Sequence, residues 1–232
     1  YDVDTFAHNT GLVDGQPQRR PTNDRWANVS REPIDARWES TPDFDFAAGV
    51  YDEGYGETDD RKATHVRRVL FVKPDLFVIA DTFTPNDDLA HTYQIRWHVD
   101  STEWREGDRD GVRARCTADE GSPNLAIVPV DTDGLVVTGH SAVTEPEPLG
   151  WWVQRDGNHR PATTELHTRT GEGRQSFLTV LYPMPAGADA LPAVRRVGPG
   201  ALSVEFPDGR AAAVSVDADP GRPLTPVGKG NH

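Results

Sequence analysis

The sequence is poor in cysteine and has no long stretch free of proline or glycine. Cys116 is the single cysteine among 232 residues, so no disulfide can form within the chain. In the segment GVRARCTAD we expect Cys116 to be a small, half-buried side chain rather than a reactive thiol. The 19 prolines and 21 glycines are spread along the whole length and exclude long helices. A core of useful size must therefore be built from strands.

Positive charge is also scarce. The chain has 24 Lys and Arg against 37 Asp and Glu, which gives a formal net charge of −13, and lysine occurs only at 62, 73 and 229. Nucleic-acid binding needs clustered cations that displace counterions, so we expect no nucleic-acid partner. No apolar run approaches the length needed to cross a bilayer, and we therefore expect no membrane span.

Two apolar runs in THVRRVLFVKPDLFVIADTFTP, residues 64–85, are separated by Lys73-Pro74-Asp75. Proline fixes φ near the value that turns require, so this segment is predicted to be a β-hairpin. Val66, Leu70 and Val72 alternate with other mainly apolar side chains. Burial of both faces is therefore expected, which is typical of an inner strand of a packed sheet.

The next run, LAHTYQIRWHVD at 89–100, alternates more cleanly. One face is predicted to be core, and the other is predicted to be a polar shelf. The core face carries Tyr93, Ile95, Trp97 and Val99, and the polar face carries Thr92, Gln94, Arg96 and His98. His91 shares the core face and is expected to be buried or half-buried.

Further short strand patterns follow, separated by Asp-Gly, Gly-Glu-Gly and Pro-Gly turns. Regularly spaced short strands with turn signals between them are typical of a β-sandwich. We predict an all-β chain with two stacked antiparallel sheets, forming one domain over residues 1–216. The segment from 217 to 232 loses its periodicity and is predicted to be an irregular tail.

His8 lies in FAHNTGLVD, where strand alternation would place Phe6, His8 and Leu12 on one face. A lone histidine beside apolar residues is more often structural than a metal ligand. The next histidine is His65, so a self-contained zinc site within the first 20 residues is not supported. From the residues alone, His8 is a candidate with two open interpretations.

No catalytic motif is complete in this sequence. It contains no Gly-x-Ser-x-Gly elbow, no phosphate-binding glycine loop and no Cys-x-x-Cys pair. Trp151 and Trp152 are adjacent, so a strand would place one indole on each face. One of them could be a sugar-stacking platform, although packing in the core or an interface is the expected outcome for both.

The stretches AHNTGLVDGQPQ, HVRRVLFVKPDLFVIADTF, HTYQIRWHV, GWW and SFLTVLYP occur in this order along the chain. Together they resemble the heparinase II/III-like polysaccharide lyases. AHNTGLVDGQPQ is similar to the Ala-His-Asn-Thr segment of that family, and HVRRVLFVKPDLFVIADTF with HTYQIRWHV resembles three strands of its C-terminal sandwich. GWW and SFLTVLYP resemble its closing strands. These matches are colinear from about residue 5 to residue 183. The opening at Tyr1 therefore resembles a position inside a longer polypeptide.

The resemblance implies an N-terminal (α/α) toroid as the partner of this sandwich, with an acidic polysaccharide bound between them. Family members cleave polysaccharides that contain uronic acid by β-elimination, and their catalytic groups belong to the toroid. The resemblance therefore implies no catalytic residue within this chain. It implies zinc as a cofactor, with His8 as one ligand and the other ligands upstream. Asn9 would orient the backbone or a neighbouring ligand. The active-site tyrosine role is not transferred to Tyr1.

Two functions stay open at this point. In the first, the chain is the sandwich part of a polysaccharide lyase, supplies His8 and one wall of the cleft, and is inactive alone. In the second, it is a carbohydrate-binding or structural sandwich with no catalytic role. A secreted or periplasmic location is expected for the first. Residues that bind substrate cannot be assigned from the sequence, and Gly11 replaces the Val or Ile that the resemblance leads one to expect.

Overall fold

The computed structural model describes residues 5–18, 35–56, 63–153 and 157–227. Within these ranges the regular structure consists of one 3-10 turn, Thr5–Ala7, and 18 strands. The predicted all-β sandwich is thereby confirmed. No helix in the described ranges has the length and apolar character to cross a bilayer.

The central layer is an eight-stranded antiparallel sheet. In spatial order its strands are β2 (Arg37–Ser40), β3 (Phe44–Tyr51), β4 (Ala63–Val72), β5 (Leu76–Pro85), β14 (Gln175–Met184), β9 (Asn124–Pro129), β8 (Val112–Thr117) and β7 (Trp104–Arg109). The predicted hairpin is β4 and β5, closed where the Asp75 N–H donates to the Val72 carbonyl. Since β4 lies between β3 and β5 with apolar side chains on both faces, its predicted inner position is confirmed.

A four-stranded antiparallel sheet covers one face of the central layer. Its order is β1 (Gly11–Val13), β6 (Ala90–Val99), β13 (Thr163–Glu172) and β10 (Val136–His140). β6 and β13 pair over their whole length, from Val99 opposite Thr163 to Ala90 opposite Glu172. The predicted core face of β6 is confirmed, because Tyr93, Ile95 and Trp97 pack with aromatic and aliphatic side chains of the central sheet. A short hairpin of β11 (Trp151–Val153) and β12 (His159–Pro161) precedes β13.

A third sheet lies on the opposite face of the central layer, which extends the predicted two-sheet arrangement. It contains β15 (Ala193–Arg196), β16 (Ala201–Glu205), β17 (Ala211–Ser215) and β18 (Thr225–Val227). Val194, Val204 and Leu224 pack there with Leu70 and Val180 of the central sheet. The middle sheet is consequently buried on both faces, and this explains why its strands are apolar on both faces.

The segment predicted as an irregular tail, 217–232, contains a strand. Thr225–Val227 pairs with β17, while residues 228–232 lie outside the described ranges. Before that strand the backbone is irregular, and its carbonyl groups accept hydrogen bonds from the buried guanidinium of Arg68. Arg68 Nη1 lies 2.9–3.0 Å from the carbonyl oxygens of Asp217, Asp219 and Arg222. A loop held through its carbonyls has no side-chain periodicity, which is why the sequence pattern gave no signal of order.

Candidate functional site

The candidate site is built where the N-terminal segment meets the end of β6. The strand alternation expected for residues 6–12 is wrong, since residues 5–7 form a 3-10 turn and β1 begins only at Gly11. The His8 N–H donates to the Thr5 carbonyl, and the Thr10 N–H donates to the His8 carbonyl. These local bonds satisfy the backbone on both sides of His8 within a tight turn, and they leave the imidazole exposed to solvent.

Asn9 attaches this turn to the four-stranded sheet. Its side-chain oxygen accepts a hydrogen bond of 2.6 Å from the backbone N–H of His98. One residue later the Thr10 carbonyl accepts from the Arg96 N–H, and β1 then pairs with β6 in regular register. The Asn9 amide therefore continues the strand ladder with a side chain, which suits a backbone that turns away at this point. The family resemblance implies that Asn9 orients the backbone or a neighbouring ligand, and this role stays a prediction.

Gly11 occupies a position with no space for a larger residue. It lies opposite Ile95, and a Cβ atom added there would come within 2.4 Å of the Phe83 ring. Phe83 is fully buried between the two sheets. Glycine in place of the expected Val or Ile thus allows β1 to approach the aromatic core closely.

A buried charge cluster lies beneath the turn and holds it from inside the sandwich. Arg67 donates from Nη1 to the Asn9 carbonyl, and it donates from Nε and Nη2 to the two Asp81 oxygens at 2.6 and 3.0 Å. Asp81 also lies 2.7 Å from His65 Nε2, and the His65 ring stacks on Phe83 with centroids 4.3 Å apart. Both His65 and Asp81 are buried, so water cannot readily take the place of either partner in this contact.

Electrostatics keep Asp81 ionised inside this cluster. Burial acts to raise the pKa of Asp81, but the charge of Arg67 and the hydrogen bond from His65 outweigh it and lower the pKa to about 2. The carboxylate is therefore a permanent acceptor for Arg67 at neutral pH. Through Arg67, its charge fixes the position of the Asn9 carbonyl.

A second arginine fixes the outer side of the same region. Arg96 is 1% exposed, and its Nη2 lies 2.9 and 3.0 Å from the two carboxylate oxygens of Glu147. Its Nε donates to the Gln94 side chain, and its guanidinium lies 5.0 Å from the centroid of the Phe6 ring. The polar shelf predicted for β6 is thus covered locally, and it holds the 3-10 turn and the loop around Glu147 in place.

His98 stands beside His8 on this covered shelf. Its Nδ1 lies 3.0 Å from the hydroxyl of Thr164, which also accepts the Gly150 N–H. Burial, followed by the charges of Arg96 and His8, lowers the pKa of His98 to about 4, and the Phe6 backbone opposes this shift. His98 is therefore a neutral imidazole at pH 7, so it adds no positive charge next to the exposed ring of His8.

The structure does not gather a complete metal site in the ranges it describes. No three side chains among His, Cys, Asp and Glu meet there in a way that could hold an ion. A tetrahedral zinc site needs three or four protein ligands. His8 fits such a site as a single ligand, because its ring is exposed and its backbone is fixed. Tyr1 lies outside the described residues.

The two adjacent tryptophans differ in environment. The Trp151 indole N–H donates to the Val143 carbonyl at 2.7 Å, and its ring meets His159 edge to face. Trp152 is 42% exposed, with the guanidinium of Arg160 5.7 Å from its ring centroid. One indole is thus half-buried and hydrogen-bonded, and the other presents an exposed ring.

Other predicted or missed residues lie away from the His8 turn. Cys116 is fully buried, and burial raises the pKa of its thiol, so an unreactive role is appropriate. His91 is buried between Asp14 and Asp87, at 2.7 and 2.8 Å. The Arg96–Glu147 pair joins residues 51 positions apart, and no local pattern could have indicated it.

Comparison with solved structures defines the class of domain. The chain is similar to a heparan sulfate lyase, HepC from Pedobacter heparinus, with a TM-score of 0.61 and 14% identity over 98% of this chain. It is also similar to a crystal structure of heparinase III, with a TM-score of 0.58 and 12% identity over 96%. At these identities the likeness shows the fold, the C-terminal sandwich type. The alignments cover 31% and 29% of those proteins, so the chain spans less than a third of either.

The family itself is identified by sequence. The family model described as heparinase II/III-like, C-terminal, matches residues 1–192. The chain therefore belongs to the heparinase II/III-like family and corresponds to its C-terminal region, in agreement with the resemblance found in the motifs. A comparison with curated proteins found no match.

Proposed function

We propose that this chain is the C-terminal sandwich of a polysaccharide lyase that cleaves polysaccharide containing uronic acid by β-elimination. The family match over residues 1–192 carries this proposal. In β-elimination a base removes the proton from C5 of the uronate, the C4–O bond breaks, and an acid protonates the leaving oxygen. A double bond between C4 and C5 remains in the product. These proton transfers belong to residues outside this chain, on an N-terminal (α/α) toroid.

The contribution of this chain is to form one wall of the cleft and to supply one zinc ligand. His8 is suited to the second task, since its ring is exposed while Asn9 and Arg67 fix its turn. The remaining ligands would come from the polypeptide that docks beside it. A zinc ion held there would tie the turn to that polypeptide and so set the position of the wall.

Charge pairing bears on the kind of polysaccharide. Arg67, Arg96 and Arg160 all lie near this end of the four-stranded sheet, and each is already paired with a carboxylate, of Asp81, Glu147 and Asp100 respectively. Arg67 and Arg96 are held in partly or fully buried pairs and Arg160 in a surface pair, so each guanidinium already has a carboxylate where a sulfate would bind. We propose an acidic substrate of low sulfation, met outside the cytoplasm, in a secreted or periplasmic location.

The lyase proposal is tested with the longer protein that includes a toroid and with this chain alone. The unsaturated uronate product absorbs in the ultraviolet, so release can be followed directly. We expect product only from the longer protein, since the base and acid lie outside this chain. Elimination by residues 1–232 alone would contradict the division of roles.

The zinc proposal is tested by substitution of His8. In the longer protein, His8→Ala should lower the zinc content measured by mass spectrometry to well under one ion per chain. His159→Ala removes another exposed histidine and serves as the matched control with full zinc content. Equal zinc in the two variants would exclude His8 as a ligand.

A second candidate function is a carbohydrate-binding sandwich, and the exposed ring of Trp152 supports it. Sugar rings stack on exposed indoles through their apolar faces. In that case Trp152→Ala abolishes retention on immobilised glycan, while His8→Ala leaves it unchanged. The lyase proposal instead expects His8→Ala to lower the zinc content and Trp152→Ala to leave it unchanged. The same two variants therefore separate the two functions.

A further inference from the structure

A cavity lies between the two sheets of the sandwich, at the edge where β8 faces β10 and β13. Its volume is about 440 Å³, which falls in the range of small-molecule sites. It reaches solvent past Glu106 and Arg113, which are exposed. Its interior is lined by apolar and charged groups, among them Leu135, Val137, Arg115 and Glu165. The His8 turn is on the outer face of the same sheet and does not line this cavity.

Glu165 leaves one carboxylate oxygen without a hydrogen bond inside the cavity. Its side chain is 0% exposed, and its Oε1 lies 2.6 Å from Nε2 of His167, which is 1% exposed. Its Oε2 is buried and has no hydrogen-bond partner in the described part of the chain. A buried acceptor in this state costs free energy, because it has lost its hydrogen bonds to water and has gained no hydrogen bond in exchange.

Arg115 presents the complementary group beside that oxygen. Its Nε is also buried and lies 3.2 Å from Glu106 Oε1 and 3.7 Å from Glu165 Oε2, but it makes no hydrogen bond among the described residues. The guanidinium is 5.1 Å from the centroid of the Trp104 ring, which supports it from one side. On the other side is Gly139, where an added Cβ would come within 1.7 Å of Arg115 Nη1. The absence of a side chain at 139 therefore makes room for the guanidinium.

A hydroxyl group matches this pair of atoms, because the acceptor and the donor are in ion-pair contact but make no hydrogen bond. A hydroxyl donates one hydrogen bond and accepts others, so it can join Glu165 Oε2 to Arg115 Nε. The ionisable side chains that line the cavity are Glu106, Glu165, Arg113 and Arg115, and their formal charges cancel. A ligand with net charge of either sign would therefore leave an unbalanced charge behind.

We propose that this cavity binds a neutral polyhydroxylated ligand, one monosaccharide unit, with a ring hydroxyl between Glu165 and Arg115. The apolar side chains of Leu135 and Val137 would contact the C–H face of the sugar. This site is separate from the lyase chemistry proposed above and does not depend on it. If an experiment shows that the cavity does not bind sugar, the lyase proposal is unaffected, and the reverse also holds.

The binding test uses the 232-residue chain and saturation-transfer NMR with free sugars. D-glucose, D-galactose and D-mannose are the neutral probes, with D-glucuronate and D-glucosamine as the anionic and cationic probes. We expect at least one neutral sugar to bind with a Kd of about 1 mM, since small ligands gain limited free energy per atom. The charged sugars should bind at least about tenfold more weakly.

Matched variants place the binding in the cavity. Val137→Phe fills the cavity without changing charge, and Val136→Phe places the same ring on the opposite, exposed face of β10. Val137→Phe should weaken binding at least about tenfold, and Val136→Phe should leave it unchanged. Glu165→Gln keeps the shape of the side chain and should also weaken binding, with circular dichroism and thermal unfolding used to verify its fold.

Three results would overturn the proposal. One is the absence of saturation transfer with every neutral sugar, which would mean that ordered water alone satisfies Glu165 and Arg115. Another is equal weakening by Val136→Phe and Val137→Phe, which would place the sugar elsewhere. The last is tighter binding of glucuronate or glucosamine than of the neutral sugars, since the charge balance of the lining predicts the reverse.

Discussion

The two faces of the central sheet are packed by different chemistry. The face toward the third sheet is mainly aliphatic, with side chains such as Leu70, Val180 and Val204. The face toward the four-stranded sheet is rich in aromatic rings, and buried ionised or polar groups such as Asp81 and Glu165 lie among them. The His8 turn and the cavity both belong to this second layer. The difference indicates that the third sheet stabilises the domain, whereas the four-stranded sheet carries the candidate sites.

The sharpest way to break this comparison is to remove the charge at the base of the His8 turn. Asp81→Ala leaves Arg67 and His65 without their buried partner and should cost about 3–5 kcal/mol of unfolding free energy. Urea denaturation followed by circular dichroism measures the loss. Asp133→Ala, at an exposed position, is the control and should change the stability little. A loss under about 1 kcal/mol would contradict the role given to this cluster.

The aliphatic face should respond differently. Leu202→Ala opens a cavity in the layer between the central and third sheets and should cost about 3 kcal/mol. Because Leu202 has no part in the His8 turn, zinc retention in the folded longer protein should stay at the wild-type level. Asp81→Ala should lower zinc retention as well as stability. If both variants lost zinc to the same extent, the two layers would not have separate roles.

The smallest effect concerns His91 and is seen as a dependence on pH. Burial acts to lower the pKa of His91, but the hydrogen bonds that its ring donates to Asp14 and Asp87 outweigh burial and raise the pKa above its ordinary value of 6.5. A raised folded pKa gives stability that is fully present below about pH 6.5 and is lost as pH rises through the folded value. His91→Gln should remove this contribution, of about 1 kcal/mol or less.

Urea titrations of wild type and His91→Gln at about pH 5.5 and about pH 8.5 check this prediction. The difference in unfolding free energy between the two proteins should be larger at the lower pH. The contribution of Asp81 to stability depends on pH in the opposite direction. Its depressed pKa gives stability that is lost only as pH falls from about 4 toward 2. A difference that grew with rising pH would contradict the assignment of His91.

Much of the fold could be predicted because it depends on neighbouring residues. The β4–β5 hairpin follows from two apolar runs around Pro74, and the two faces of β6 follow from alternation between Tyr93 and Trp97. The third sheet could not be separated from the sandwich, since its short strands have the same pattern as the others. Sequence pattern gives strands, but it does not state which face of which sheet each strand covers.

The candidate site was predictable only in part. The family motif indicated His8 and Asn9, whereas the local pattern placed His8 in a strand that begins three residues later. Asp81 had a detectable signal, as an acid inside a mainly apolar run, FVIADTF. The pairing of Arg96 with Glu147, and of Arg115 with Glu165, depends on tertiary approach between distant segments. Ion pairs between residues so far apart in the sequence produce no periodic sequence pattern.

Strand β13 contributes side chains both to the region of the His8 turn and to the cavity. Thr164 faces outward and holds His98 beside the His8 turn, while the next residue, Glu165, faces inward to the cavity. In most β-sheets, the outward-facing positions of a strand tolerate substitution by other polar residues. Here a saturation mutagenesis scan should find odd and even positions of this strand equally intolerant, and variation in related chains should be suppressed along its whole first half rather than at every second residue.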